Sequence, residues 1–290
     1  MNDLYFGYGS NLNMEDWKDF AKRENLNPDS IKAIPGIFFL PDYELTFDVN
    51  SPRRNGGVLD VIPKLGHVVA GKLFEVFDNY ESLDRKEGHP NFYKRKKVTV
   101  LDENGKQRKV TTYLVCQDRV QEFVKPSEKY LEIVLKGYDD YDISKKYPWA
   151  KKQLQLASKQ KVNSSGVDHI FVYGTLCQGE CRETTLLEFS EKKYLNQTIR
   201  GSLIDLKYYP GLINSDGIVF GELHHTPNIS ATLAILDRIE GFGEYDESSL
   251  FCRILTQSGG TLCWTYLWNG DSDSGSIIES GNWVKFNKYR

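Results

Sequence analysis

Leu83-Asp84-Arg85-Lys86-Glu87-Gly88 returns in the same chain as Leu236-Asp237-Arg238-Ile239-Glu240-Gly241, and each copy lies downstream of a Tyr-Gly-hydroxyl turn, Tyr8-Gly9-Ser10 and Tyr173-Gly174-Thr175. One design is therefore written twice. A repeat unit of this length is a domain, because the repeats of solenoids recur every ~20 to 50 residues. Before each turn runs a short apolar stretch, Leu4-Tyr5-Phe6-Gly7-Tyr8 and His169-Ile170-Phe171-Val172-Tyr173, with the aromatic and β-branched content of a buried strand.

The rest of the chain agrees with that division. Its 290 residues suit two domains of ordinary size, each long enough to bury its own core. From residue 144 onward apolar content falls, and polar, turn-forming residues take over toward Lys159-Gln160-Lys161-Val162-Asn163-Ser164-Ser165-Gly166. This places a first domain over 1–157, a linker over 158–168 and a second domain over 169–290. Further strands are expected over 57–61, 68–74, 97–101 and 110–115, then over 217–223, 251–256 and 262–267. Helices are expected over 127–136 and before each Glu, over 78–86 and 230–239. Many short strands with few helices and no βαβ alternation indicate an α+β class built on closed or strongly curved sheets.

Composition excludes several classes of function. Hydrophobic residues are 40% and charged residues 27%, as in an ordinary globular protein, and a net charge of −3 gives no general pull toward nucleic acid or anionic membrane. The five cysteines, Cys116, Cys177, Cys181, Cys252 and Cys263, are odd in number and scattered, which suits reduced thiols in a cytoplasm. No signal peptide and no run near the ~20 apolar residues of a membrane span is present, so the Asn-x-Ser/Thr matches at Asn163, Asn196 and Asn228 read as chance. Cys177 and Cys181 read as plain thiols and not as a metal pair. His224 and His225 are expected at a strand end on the surface, His89-Pro90 as a turn, and the basic run 93–97 as a solvated strand face. No phosphate-binding or dinucleotide fingerprint appears, so no cofactor and no metal is expected.

The chemistry starts at the turn. Gly9 and Gly174 are expected to take positive φ and bring the backbone close to a ligand, exposing successive N–H groups as a nest for a carboxylate or oxyanion. A single Tyr-Gly-Ser is most often an ordinary turn, and a single Glu before Gly most often a solvated helix end. Their joint repetition, in the same order, favours function for both. Gly88 and Gly241 should end helices, leaving Glu87 and Glu240 at the C-terminal edge, where the macrodipole disfavours negative charge and raises the pKa. Asp84 and Arg85 are expected to make solvent or packing contacts.

Tyr8-Gly9-Ser10-Asn11-Leu12, the 83–88 motif, Tyr93-Lys94-Arg95 and Pro126-Ser127-Glu128-Lys129-Tyr130-Leu131 together resemble the γ-glutamylcyclotransferase family. The second half resembles the avirulence-induced-gene-2-like and γ-glutamylamine cyclotransferase branch of that family. The residues concerned are Phe171-Val172-Tyr173-Gly174-Thr175-Leu176, Tyr209-Pro210-Gly211-Leu212, Val219-Phe220-Gly221-Glu222-Leu223, the 236–241 motif and Ser280-Gly281-Asn282-Trp283. The resemblance covers almost the whole chain and is similar to a two-domain bacterial arrangement.

The resemblance implies two small β-barrels with packed helices. It also implies conversion of a γ-glutamyl amide into 5-oxoproline and a free amine, with Glu87 and Glu240 as general acid-base groups. Tyr8, Gly9, Ser10, Asn11, Leu12, Tyr93, Tyr113 and Tyr130 would bind substrate in the first half, the phenol hydroxyls orienting its α-carboxylate and amine, and Tyr173, Gly174, Thr175 and Leu176 would do so in the second. The second half departs from the first in having Phe251-Cys252-Arg253 where Tyr93-Lys94-Arg95 stands, and from the related Ser-Gly-Asp-Trp ending in having Asn282. Two other readings stay open at this point: a non-catalytic small-ligand module, and a hydrolytic amidase that releases glutamate.

Overall fold

The computed structural model describes residues 3–161, 165–245 and 248–288; residues 162–164, inside the expected linker and including Asn163, lie outside them. The chain divides into two compact units, 1–102 with 107–166, and 103–106 with 167–290. In chain order the first unit contains β1 (Asp3–Gly7), α1 (Met14–Arg23), β2 (Ile31–Ala33), β3 (Phe38–Ser51), β4 (Gly56–Val76), α2 (Glu81–Glu87), β5 (Tyr93–Asp102), β6 (Gln107–Val115), α3 (Glu128–Asp140), α4 (Ile143–Lys146) and α5 (Pro148–Ala157). The second contains β7 (His169–Val172), α6 (Glu183–Leu187), β8 (Lys192–Asp205), β9 (Pro210–His225), α7 (Ile229–Ile239), β10 (Phe251–Ser258), β11 (Thr261–Trp268), β12 (Ser276–Ile277) and α8 (Trp283–Lys288).

Strands of the first unit pair in the order β1-β6-β5-β3-β4, and β4 returns to β1 antiparallel, from Asp3 opposite Val76 to Gly7 opposite Lys72. A five-stranded barrel closes by that ladder, with β2 added on β4. Phe6, Phe39, Phe47, Val68, Leu73 and Val100 on its strands are almost wholly buried. In the second unit the order is β10-β11-β7-β9-β8-β12. Among the described residues no ladder joins β10 to β8, so this sheet curls into a half-barrel. Phe171, Leu203, Val219, Cys263 and Trp283 form its core. The fold is thus α+β, as the motifs implied.

The strands are longer than expected. Residues 57–61 and 68–74 belong to a single strand, β4, of 21 residues. It runs through Pro63-Lys64-Leu65-Gly66 because β3 beside it is bulged, with register shifts between Pro41 and Tyr43 and between Thr46 and Val49. A bulge bends and twists its strand, which lets a long pair wrap a small barrel. The helix expected over 127–136 begins at Glu128, with the Ser127 hydroxyl outside it accepting from the Tyr130 N–H, and continues to Asp140. In the segment where apolar content falls, α5 still buries Ala150, Leu154 and Ala157 against its own unit. His224, expected at the surface, is 1% exposed. It is held between Ser190 Oγ at 2.9 Å and Glu222 Oε2 at 3.2 Å.

Candidate active sites

The same hydrogen bonds are made twice. Tyr8 donates its hydroxyl to the Tyr113 carbonyl at 2.8 Å, and Tyr173 donates to that of Tyr266 at 2.6 Å. Thr112 bonds the Phe6 carbonyl as Thr265 bonds that of Phe171. Asp84 accepts from the Tyr113 hydroxyl at 2.6 Å and from Arg95 at 2.7 Å, and Asp237 accepts from Tyr266 and Arg253 at the same two distances. Asp84, expected to make solvent or packing contacts, is instead, like Asp237, a hub that ties its acid-bearing helix to its sheet. Both helices end on a glycine in the left-handed region, Gly88 at φ 65° and Gly241 at φ 62°. The following N–H reaches back, from His89 to Asp84 and from Phe242 to Asp237. This cap turns Glu87 and Glu240 into the two cavities.

In the first unit Tyr5, Tyr8, Gly9, Ser10, Asn11, Leu59, Glu87, Tyr93, Tyr113 and Tyr130 enclose an inner cavity of about 30 Å³. Glu87 accepts from Asn11 Nδ2 at 2.6 Å, and the same amide group donates to Tyr5 at 2.8 Å. Asn11 is 2% exposed, and its Oδ1 has no partner among the described residues. Burial raises the Glu87 carboxyl above its ordinary pKa, opposed by Lys86, Asn11 and Arg54. Ser10, Glu87, Tyr93 and Tyr130 also line an outer cavity of about 430 Å³.

Glu240 lies in a cavity of about 200 Å³ walled by Tyr173, Gly174, Thr175, Leu176, Arg182, Tyr209, Pro210, Leu250 and Phe251. Leu176 follows Tyr-Gly-Thr where Asn11 follows Tyr-Gly-Ser, so among the described residues Glu240 has no amide clamp. Burial pushes its carboxyl up to about 7, with Asp237 adding and Arg182 opposing. A carboxyl raised in this way leaves stability fully present below its unfolded value, ~4.3, and loses it as pH climbs through the folded value. Removing the charge should therefore help only at high pH. We expect Glu240→Gln to match the parent near pH 4 and to exceed it by about 3 to 4 kcal/mol near pH 8, read by urea unfolding of the full-length chain. A gap that does not widen with pH would show that Glu240 titrates as a solvated acid.

The turns differ from expectation in two respects. Neither glycine takes positive φ: Gly9 has φ −119°, and Gly174 is also outside the left-handed region. Gly174 is needed for room, since an added Cβ would meet Pro210 at 2.9 Å. Leu12 is also not available as a donor. Its N–H closes the turn on the Gly9 carbonyl, as that of Cys177 does on Gly174. The N–H groups of Ser10 and Asn11, and of Thr175 and Leu176, make no hydrogen bond among the described residues.

Phenol protons are mostly directed into the protein. Tyr8 and Tyr113 donate as above, and Tyr93 donates to the Leu59 carbonyl at 2.7 Å, so these oxygens offer lone pairs to a cavity and not protons. They suit an ammonium better than a carboxylate. Tyr130 accepts from the Leu59 N–H at 3.3 Å, and burial pushes its phenol up to about 12, so it keeps its proton. Among the described residues of the second site, Phe251 stands where Tyr93 does and no tyrosine corresponds to Tyr130. Two features escape the sequence patterns: the grip of Asn11 on Glu87, joined across the barrel, and Arg182, which no motif marks.

Comparison with known proteins agrees with this duplicated architecture. The family model described as gamma-glutamyl cyclotransferase, AIG2-like matches residues 170–285, and that of the AIG2-like family matches 68–150. The gamma-glutamylcyclotransferase family protein ytfP of Citrobacter rodentium is 36% identical over 128 residues, which is 98% of that protein and 41% of this chain. A putative gamma-glutamylcyclotransferase of Vibrio cholerae is 31% identical over 116 residues, 95% of that protein and 40% of this chain. A solved structure described as gamma-glutamyl cyclotransferase is 26% identical, covering 53% of this chain and 87% of its own, with a TM-score of 0.45. The chain belongs to the γ-glutamylcyclotransferase family, of which it carries two domains.

Proposed function

We propose that each unit converts a γ-glutamyl amide into 5-oxoproline and a free amine, the substrate's α-amine attacking its own γ-carbonyl. The observation that carries this reading is the duplicated pairing of a buried glutamate with raised pKa and an adjacent turn whose N–H groups are unpaired. Enclosing the folded substrate with the reacting atoms ~3 to 3.5 Å apart is worth about 7 to 11 kcal/mol of the barrier. The attacking ammonium, with a pKa of ~8, must lose a proton to a base. Against a solvated Glu near ~4.3 that transfer is uphill by about 5 kcal/mol. At Glu240, raised to about 7, most of the mismatch is gone.

Glu87 or Glu240 takes the amine's proton as the new C–N bond forms, and gives it to the leaving nitrogen as the amide bond breaks. The N–H groups of Ser10 and Asn11, or of Thr175 and Leu176, receive the oxyanion. In the first unit Asn11 Oδ1 and the Tyr8 and Tyr93 oxygens accept from the α-ammonium. These steps require no cofactor and no metal. Among the described residues no helix is long and apolar enough to cross a membrane, and the partner proposed is a small γ-glutamyl molecule.

Incubating the full-length chain with γ-glutamyl amino acids, peptides and amines distinguishes the readings. Release of 5-oxoproline supports cyclisation, glutamate would indicate an amidase, and neither product would indicate a binding module. Binding of 5-oxoproline supplies a second check. Its carboxylate should shift the backbone amide signals of Ser10, Asn11, Thr175 and Leu176 and leave Leu12, whose N–H is already bonded, nearly unmoved. Unmoved signals at all four positions would count against the turn as an anion site.

A further inference from the structure

The outer cavity in front of Glu87 holds more positive charge than this reaction uses. Arg23, Arg53, Arg54, Arg85 and Lys86 line it. Arg54 and Lys86 are committed, both pairing with Asp16, at 2.7 and 3.0 Å. Against the burial that would raise it, they hold the Asp16 carboxyl down at about 2. The other three guanidiniums are not matched. Arg53 and Arg85 share one carboxylate, Glu24, at 3.2 and 3.4 Å, with side chains 54% and 63% exposed. Arg23 has no ion-pair partner among the described residues. Arg53 is pre-positioned, its guanidinium carbon 5.5 Å from the centre of the Phe20 ring in the same wall.

The second cavity shows that such charge is not a requirement of the shared chemistry. Among the described residues Arg182 is its single cation, and Leu176, Pro210, Ile239, Leu250 and Phe251 give it apolar walls beside its tyrosines and Thr175. The charge at the first site must therefore serve what differs between substrates, the leaving amine. Ser10, Glu87, Tyr93 and Tyr130 line both first-unit cavities, so a γ-glutamyl group seated at Glu87 directs its leaving amine among the arginines. A guanidinium fork matches a carboxylate with two parallel hydrogen bonds.

Resting on the cyclisation reading, we propose that the first site selects γ-glutamyl peptides whose leaving amine carries two or more carboxylates, γ-glutamyl-glutamate being the simplest, held by Arg23, Arg53 and Arg85. The second site has no such preference.

The test separates binding from turnover. The full-length Glu87→Gln/Glu240→Gln chain is titrated by calorimetry with γ-glutamyl-glutamate, γ-glutamyl-alanine and γ-glutamyl-ethylamide. The dicarboxylate leaving group should bind roughly tenfold tighter than the alanine peptide, the size of one added hydrogen bond to a charged group. That margin should vanish near ~0.5 M salt, where exposed charges are screened. It should also vanish when Arg23→Gln, Arg53→Gln and Arg85→Gln are combined on the same chain. Equal affinities for the two peptides, or a margin that survives the triple substitution, would overturn the proposal. Turnover by the Glu240→Gln chain then tests the underlying reaction. Absence of 5-oxoproline from every substrate would remove the cyclisation reading whatever the binding margin, and 5-oxoproline formed at equal kcat/KM from both peptides would remove the selectivity alone.

Discussion

Glu87→Gln in the full-length chain is expected to lower 5-oxoproline release from γ-glutamyl amino acids by about one to two decades, down to the turnover left at Glu240, because loss of a general acid-base group lowers the first site's own rate by about 10² to 10⁴-fold. Fold should be unaffected. The Gln oxygen can still accept from Asn11 Nδ2, now at 2.6 Å from Glu87, and a neutral amide is easier to bury than a carboxylate. Glu240→Gln on the same substrate should cost less. Tyr93 and Tyr130 line the first cavity, whereas Phe251 stands at the start of β10 as Tyr93 does at the start of β5, and among the described residues the second unit has no helix corresponding to α3. One hydrogen bond to a charged group is worth about 1.5 to 3 kcal/mol, or one to two decades in rate if it is made in the transition state. Initial rates of the parent and of the two single variants decide the matter. Full activity in Glu87→Gln would remove the assignment of the base, and an equal or larger loss from Glu240→Gln would reverse the ranking of the sites.

How much of this is legible in the sequence follows from the range of each interaction. The acids and turns can be read because short-range rules place them: a glycine cap at 88 and 241, and a strand that ends in Tyr-Gly. Helix ends were correspondingly close, with α7 expected to begin at 230 and observed from Ile229. Strands β3 and β8 were not foreseen. Their charged residues and bulges break the two-residue alternation, as at Asp42 and between Arg200 and Ser202, although antiparallel ladders to β4 and to β9 pair them along most of their length. The grip of Asn11 on Glu87 spans 76 positions and exists only once β1 has docked between β4 and β6. The arginine-lined cavity draws on α1, on the bend before β4 and on α2, and no local pattern brings those together. The aspartate hubs were in plain view inside the repeated motif. Their meaning was missed because an Asp near a helix end is ordinarily solvated, and only the sheet shows that Tyr113 and Tyr266 face them.

Those hubs yield the second large effect, and it is asymmetric. Asp237→Ala should destabilise the second unit by about 3 to 5 kcal/mol, the cost of stripping one partner from a buried ion pair. Arg253 is 0% exposed, with its guanidinium carbon 4.8 Å from the Phe242 ring centre and 5.0 Å from that of Trp264, so it cannot turn to water when the Asp237 carboxylate is lost. Tyr266, 4% exposed, loses its acceptor as well. Asp84→Ala removes the corresponding bonds in the first unit, but Arg95 is 36% exposed and can rehydrate. There the loss should be about 1 to 3 kcal/mol, mostly the unsatisfied Tyr113 hydroxyl. Hydrogen exchange followed by mass spectrometry reads each unit separately, through the amides of β10 and β11 for the one and of β5 and β6 for the other. Replacing both partners, as Asp237→Leu with Arg253→Met, should recover much of the loss, because an apolar pair of similar volume leaves no charge stranded. Since Asp237 also raises the Glu240 carboxyl, its removal should lower the pH at which Glu240 titrates, tying the frame of the fold to the readiness of its acid. A cost from Asp237→Ala no greater than that from Asp84→Ala would mean that burial of Arg253 does not set the energetics of this hub.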